Sequence, residues 1–266
     1  MSNLLRLLLV RHAGFVALSA ALLGGFQWLI CAAVASVDVS GALGAISQSL
    51  PPLMQALLSE QFLGDLSRRS LLAFGWAHPI AQALGAAVAI VLAAQAVAGE
   101  SESGTIELTL GQPLARRAYL AAQAVFALAA LAFVTLAGLA GTVAGARAFG
   151  LEVFGAGALA RLGLDYLALL AALYGLTLAF SAFGREGGRV ALAGFLVALL
   201  SYLVHVIGSM WAPWEPLVPW TLHAWYAPRD ILVRGAGVAR PVATLLAVAL
   251  AGGGLAWWRF ERRDLP

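Results

Sequence analysis

Residues 76–98 read Trp-Ala-His-Pro-Ile-Ala-Gln-Ala-Leu-Gly-Ala-Ala-Val-Ala-Ile-Val-Leu-Ala-Ala-Gln-Ala-Val-Ala, a run without one formal charge. A helix needs about 20 mainly apolar residues to cross the hydrocarbon core of a bilayer, so this stretch is long enough to span one. Five more stretches share its character: 13–37, 118–145, 162–183, 190–209 and 241–258. The run at 118–145 is long enough to tilt or to extend beyond the core. The last is the shortest and carries Gly252, Gly253 and Gly254, which could unwind it.

The rest of the composition agrees. Of 266 residues, 62% are hydrophobic and 11% charged, with a mean hydropathy of +0.89. A soluble domain carries about 25% charged residues, and its polar groups must cover its exterior. An ordinary cytosolic enzyme, a disordered chain and a secreted disulfide scaffold are therefore excluded. Cys31 is the only cysteine, so no internal bridge forms and no paired Cys or Cys/His spacing offers a zinc or other metal site. All 16 basic residues are Arg. Without lysine there is no P-loop, no Schiff-base site and no protein-kinase site. If a nucleoside triphosphate drives this protein, another polypeptide hydrolyses it.

The expected fold is all-α: a polytopic membrane protein of six transmembrane helices in a single domain over 1–266. Neither an internal repeat nor a linker to a soluble domain is visible. Residues 2–11 place five leucines around Arg6 and suit a short interfacial helix leading into the first span. Ala33-Val34-Ala35 resembles a signal-cleavage site, but the apolar run before it exceeds the roughly 7–15 residues of a signal peptide, so retention is expected. Short outer helices are expected within 38–75, where Pro51-Pro52 suits a first turn and Gly64 interrupts.

Arginine density sets the orientation. Segments 1–12, 99–117, 184–189 and 259–266 hold 9 Arg in 45 residues, whereas 38–75, 146–161 and 210–240 hold 7 in 85. The denser side, with both termini, should be cytosolic. Its 9 Arg face 6 acids, so the net charge of +3 lies there. Trp211, Trp214, Trp220 and Trp225 in the last outer loop, with Trp257 and Trp258 at the inner end of span six, suit the headgroup zones.

One loop has its own grammar. Positions 99–117 read Gly-Glu-Ser-Glu-Ser-Gly-Thr-Ile-Glu-Leu-Thr-Leu-Gly-Gln-Pro-Leu-Ala-Arg-Arg. Gly99 can end span two in a left-handed cap. Thr105 can cap a new short helix, with Glu107 facing its positive dipole end. Ile106, Leu108, Leu110 and Leu114 supply apolar contacts, and Gly111 and Pro113 close the helix. Arg116 and Arg117 then stand at the mouth of span three.

The order Gly99, Glu100, Gly104, Thr105, Glu107, Leu110, Pro113, Arg116, between the second and third of six spans, resembles the signature of membrane permeases of type-2 ABC-family exporters. Thr109 departs from it, where leucine is frequent. The resemblance implies that this segment contains the coupling helix that docks in a cleft of a separate ATPase. Carried over by position, Glu100, Gly104, Thr105, Ile106, Glu107, Leu108, Leu110, Pro113 and Arg116 would serve that coupling. It further implies two permease chains, identical or not, flanking a path above two ATPase copies that hold ATP and Mg, in a bacterial inner membrane. This chain would bind no cofactor and hydrolyse nothing itself. Arg185, Glu186 and Arg189 form a second, smaller cytosolic contact candidate, with positive-inside anchoring as the alternative.

No carboxylate lies at the centre of a span, which argues against a proton-driven antiporter. Asp165, four residues after Arg161, suggests a local ion pair. The remaining polar groups of the spans are Gln27, His78, Gln82, Gln95, Gln123, Tyr174, Thr177, Ser201, Tyr202 and His205, and most of them suit interhelical hydrogen bonds. His78-Pro79 suggests a kink opening span two. Gly138, Gly141 and Gly145 suit close helix packing, within or between chains. Tyr202 and His205 share a face of span five and are candidates to line a path. So few charges favour a hydrophobic or amphipathic cargo. The alternatives are an ATP-independent carrier and a membrane assembly or anchoring factor. No motif supports an intramembrane enzyme or a nucleic-acid partner.

Overall fold

A computed structural model describes residues 2–37, 67–105 and 115–262. In chain order its elements are α1 (Ser2–Ser36), α2 (Arg68–Ala77), α3 (Pro79–Ala94), a π-helical turn (Gln95–Gly99), α4 (Glu100–Glu102), α5 (Arg116–Ala148), α6 (Ala156–Phe183) and α7 (Gly187–Met210). Two 3-10 segments (Ala212–Trp220 and Leu222–Trp225), α8 (Pro228–Leu232) and α9 (Ala239–Glu261) follow. No strand occurs among the described residues. Six helical stretches are long and apolar enough to cross a membrane, and each coincides with one of the six read from the sequence. The chain is a multi-pass membrane protein.

Residues 2–11 are helical, but no break separates them from the span: α1 is one helix of 35 residues, about 52 Å long. It outreaches a ~30 Å core and projects at the end where both termini lie. At the far end α2 starts in segment 38–75 and runs into the second span, with Arg69 paired to Glu152 beyond α5. The Arg69 guanidinium holds the Glu152 carboxyl below its ordinary range. Positions 51–58 and Gly64 lie outside the described residues.

The most enclosed span is α6, around which α3, α5, α7 and α9 pack; α7 and α9 are the least covered. Close approach depends on glycine. A methyl group at Gly252 of α9 would meet the Gly175 backbone of α6, so α9 runs unbroken through Gly252–Gly254 instead of unwinding there. On α5, Gly138, Gly141 and Gly145 face α1 of the same chain. A Cβ at Gly24 would stand 2.9 Å from the Ala137 carbonyl oxygen, and one at Gly141 would enter the Gly24 backbone. The seam is intrachain. Gly141→Val is expected to prise α1 from α5 and cost about 3 kcal/mol, the upper part of the overpacking range. Melting of the purified protein should fall well below that of Gly14→Val, since a Cβ at Gly14 meets nothing within 4 Å. Equal melting would refute the seam.

The expected kink is present at His78-Pro79. Proline has no N–H, so the carbonyl of Gly75 loses its helical donor; Gln27 of α1 supplies one instead at 3.2 Å. The next carbonyl, of Trp76, accepts from Gln82 (2.7 Å) and Tyr226 (3.2 Å), while the Ile80 N–H turns to His78 Nδ1. Trp76 itself is fully buried and donates its indole N–H to Thr142 on α5. In a bilayer such freed groups must find protein partners, and here each does.

Asp165 does not pair with Arg161. It is fully buried, and its Oδ2 accepts the Ala227 N–H at 3.1 Å, which ties the last far-end loop to α6. Asp165 Oδ1 and Arg161 Nε have no hydrogen-bond partner among the described residues. A backbone donor meets one oxygen of the carboxylate, and the guanidinium meets neither.

Candidate functional site

The distinctive segment begins one turn earlier than the sequence suggests. Gly99 is no left-handed cap: its φ is −65°, and the helix continues through it to Glu102. The reason lies in α6. Ser181 Oγ donates to the Ala94 carbonyl (3.1 Å) and accepts from the N–H groups of Val97 (3.3 Å) and Ala98 (2.9 Å). One hydroxyl thus fills the gap in the ladder that a π turn opens. Tyr119 of α5 donates to the Ala96 carbonyl at 2.7 Å, and Gln123 donates to the Tyr119 hydroxyl. Ala94, Ala96 and Ala98 are almost completely buried, small enough to let α5 and α6 reach the backbone.

Glu100 follows, with only 7% of the residue exposed. Its carboxylate pairs with Arg11 of α1 and accepts the Thr105 hydroxyl proton. Helix α1 and the turn at Thr105 are thereby tied to a single carboxylate. Ser101 and Ser103 bond back to the carbonyls of Val97 (2.7 Å) and Gly99 (3.0 Å), and Gly104 reverses the chain at φ +70°, the left-handed conformation that glycine adopts without strain. Glu102 Oε2 accepts the Gly187 N–H at 2.8 Å, so its negative charge sits at the N-terminus of α7. On the other side of the loop, Arg116 Nη1 reaches the carbonyls of Phe260 (3.5 Å) and Glu261 (3.2 Å), a cation at the C-terminus of α9.

The result is a junction at the end that carries both termini. Residues 95–105 and Arg116 touch α1, α5, α6, α7 and α9 through named polar contacts. Of the residues carried over by resemblance, Glu100, Gly104, Thr105 and Arg116 lie in this junction; Ile106, Glu107, Leu108, Leu110 and Pro113 lie outside the described residues. Glu100 and Arg116 bond to this chain's own helices.

The second contact candidate is brought alongside. Glu186 pairs with Arg189 at 2.9 Å, and together with Arg185 they line an open groove of about 510 Å³ floored by Phe180 and Phe183. Gly187, bonded to Glu102, joins the two candidates.

Tyr202 and His205 belong elsewhere, about 20 Å or more along α7 from Arg189 by helical rise. Tyr202 lines a groove of about 380 Å³ between α3 and α7 with Gln82, Phe195 and His223. His223 was not singled out from the sequence, yet it is 5% exposed and edge-on to Tyr202 at 5.4 Å. Ser201 Oγ accepts the N–H groups of Leu222 (2.9 Å) and His223 (3.3 Å) and stands 2.8 Å from His223 Nδ1. With its lone pairs taken, the hydroxyl donates its proton to a neutral Nδ1. Arg11, Tyr119 and Ser181 were likewise not legible as site residues; each is ordinary in sequence, Tyr119 and Ser181 acquiring their roles from a backbone that the π turn exposes and Arg11 from the Glu100 carboxylate. Among the described residues, no group of His, Cys, Asp and Glu that could hold a metal ion occurs.

A family model described as ABC-2 family transporter protein matches residues 9–265, nearly the whole chain. No curated protein matches the chain.

Proposed function

The chain belongs to the ABC-2 family of transporter membrane proteins, as a permease component of an ABC transporter, and from that membership we propose that the junction at residues 95–105 and Arg116 couples its helices to a separate ATPase. Family members generally work with such a subunit. In this reading two ATPase copies close on ATP and Mg beneath two permease chains, and the 106–114 segment is the docking piece. Both termini are cytosolic, in a bacterial inner membrane, and the cargo is exported. It is hydrophobic or amphipathic, consistent with spans that carry so few charges. This chain itself hydrolyses nothing.

The observation that carries the proposal is the Arg11–Glu100 pair with the Ser181 clasp. A loop that only linked two helices would need neither. A loop that transmits force needs its base fixed to the helices that must move, because a displacement is passed on only through contacts that do not yield.

The test is to co-express the chain with an ATPase encoded beside it and measure ATPase activity in proteoliposomes. Co-purification is expected, and Glu107→Arg should lower transport-coupled hydrolysis at least about tenfold while membrane insertion stays normal, as for loss of a charged contact at a protein interface. Normal coupling in a correctly inserted Glu107→Arg variant would overturn the docking role. Failure to bind any ATPase would favour a carrier or assembly factor.

A further inference from the structure

Helices α5 and α9 both pack on α6 and scarcely on each other. Between them runs a groove of about 410 Å³ whose floor is α6 at Tyr174, Gly175 and Leu178 and whose walls include Leu128, Leu250 and Trp257. The walls open outward: Leu128 is 44% and Leu250 76% exposed. Along α9 the lining extends from Leu246 to Trp257. Eleven residues of helix rise about 16 Å, half of a ~30 Å hydrocarbon core. The groove is therefore one leaflet deep, and it starts at the headgroup level of the end that carries both termini.

Its mouth is polar. Arg117, one turn before the α5 wall, pairs with Glu261, one turn beyond Trp257. The Trp257 indole N–H donates to Glu261 Oε1 at 3.1 Å. The Arg117 side chain remains 71% exposed; its Nε and Nη2 bond the Glu261 carboxylate, and its Nη1 donors remain to meet a phosphate. A guanidinium, an indole at the interface and an apolar slot of leaflet depth match the phosphate, the backbone and one tail of a phospholipid in turn.

We propose that this groove is a structural lipid site, in which one acyl chain of a membrane phospholipid lies between α5 and α9 with its phosphate against Arg117. The lipid supplies the contact that the two helices do not make. It also bears on the coupling end, since Arg117 adjoins Arg116, which holds the last carbonyls of α9. The only polar group of the floor is the Tyr174 hydroxyl, without a hydrogen-bond partner among the described residues. An acyl chain asks nothing of it, whereas a ligand with an acceptor at that depth would.

The test uses the full chain purified in dodecyl maltoside, stripped of loosely held lipid, then titrated with palmitoyl-oleoyl phosphatidylglycerol and read by native mass spectrometry. One tightly held phospholipid per chain is expected. A Cβ at Gly254 meets nothing within 4 Å, so Gly254→Leu fills the slot without displacing backbone. It should reduce retention at least about tenfold, as should Ala124→Leu from the opposite wall. Arg117→Gln should reduce it several-fold, and Tyr174→Phe should leave it unchanged. Melting curves identify any variant that has lost its fold, and two filling variants from different helices guard against that loss. Absence of a held lipid in the unmodified chain, or full retention in either folded filling variant, would overturn the proposal. Loss on Tyr174→Phe would replace the acyl chain with a hydrogen-bonding ligand. None of these readings involves the ATPase, so failure here is distinct from failure of the coupling proposal.

Discussion

Glu100→Ala is expected to lower stability by about 2 kcal/mol and to reduce transport-coupled ATPase activity about tenfold or more. Removing one partner of a buried ion pair costs roughly 3–5 kcal/mol, chiefly because the other charge is stranded. Here the Arg11 side chain is 42% exposed, so water screens part of the loss and the lower figure applies. The Thr105 hydroxyl loses its carboxylate acceptor too, which loosens the turn that precedes residues 106–114. A double variant separates the two effects. Arg11→Leu with Glu100→Leu leaves neither charge orphaned, so stability should return to within about 1 kcal/mol of the unmodified chain. Coupling should stay low, because the Thr105 hydroxyl still lacks the carboxylate that it meets in the unmodified chain. Chemical denaturation and hydrolysis rates in proteoliposomes measure the pair. Full coupling in Glu100→Ala would mean that the carboxylate does not orient the loop.

Acidification is expected to release the far-end loop from α7. Burial, then the neighbouring His205, pushes His223 down from an ordinary value of 6.5 to about 4. Its Nδ1 accepts the Ser201 proton, so protonation places two donors face to face. The groups around it are Tyr202 and His205 on α7 and Gln82 on α3, with Arg240 of α9 stacked over Trp225 nearby. None is an acid that would hold a charged imidazole. The released loop titrates near 6.5 and so binds more protons than the docked one. The docking energy is thus complete above pH 6.5, declines as pH falls towards 4, and changes no further below. A shift of this size amounts to about 3 kcal/mol. Hydrogen exchange at the Leu222 and His223 amides should be slow at pH 7.5 and, after correction for intrinsic rates, over tenfold less protected at pH 4.5. His223→Gln should abolish the difference. A pH-independent protection factor in the unmodified chain would dismiss the switch.

The two ends of the molecule were unequally legible in its sequence. Apolar length alone placed six spans, because the bilayer leaves helices few alternatives, and Pro79 announced its kink through chemistry local to one residue. The glycines of α5 announced close packing but not the partner, since Gly24 lies over a hundred positions away. Errors arose where a tertiary partner decided a local question. Gly99 suited a cap until Ser181 offered its hydroxyl to the backbone. Asp165 suited a pair with Arg161 until Ala227 presented an N–H. Gly252–Gly254 suited unwinding until α6 came close enough to need a glycine at Gly252. The motif drew attention to the connection after span two, yet the groups that hold its described part, Arg11, Tyr119 and Ser181, carry no motif. They are recognisable only once the helices are side by side.

The glycine seam between α1 and α5 bears on how the protein is made. Cys31 donates to the Thr142 carbonyl across 111 residues of chain, at 3.5 Å. The first helix therefore enters the membrane well before its partner has been synthesised. During that interval Gln27 has lipid where Gly75 will be, and the bare backbone at Gly24 has nothing to lie against. Biogenesis of this chain is thus a waiting problem: the first span lacks its close-packed neighbour until the third has been made.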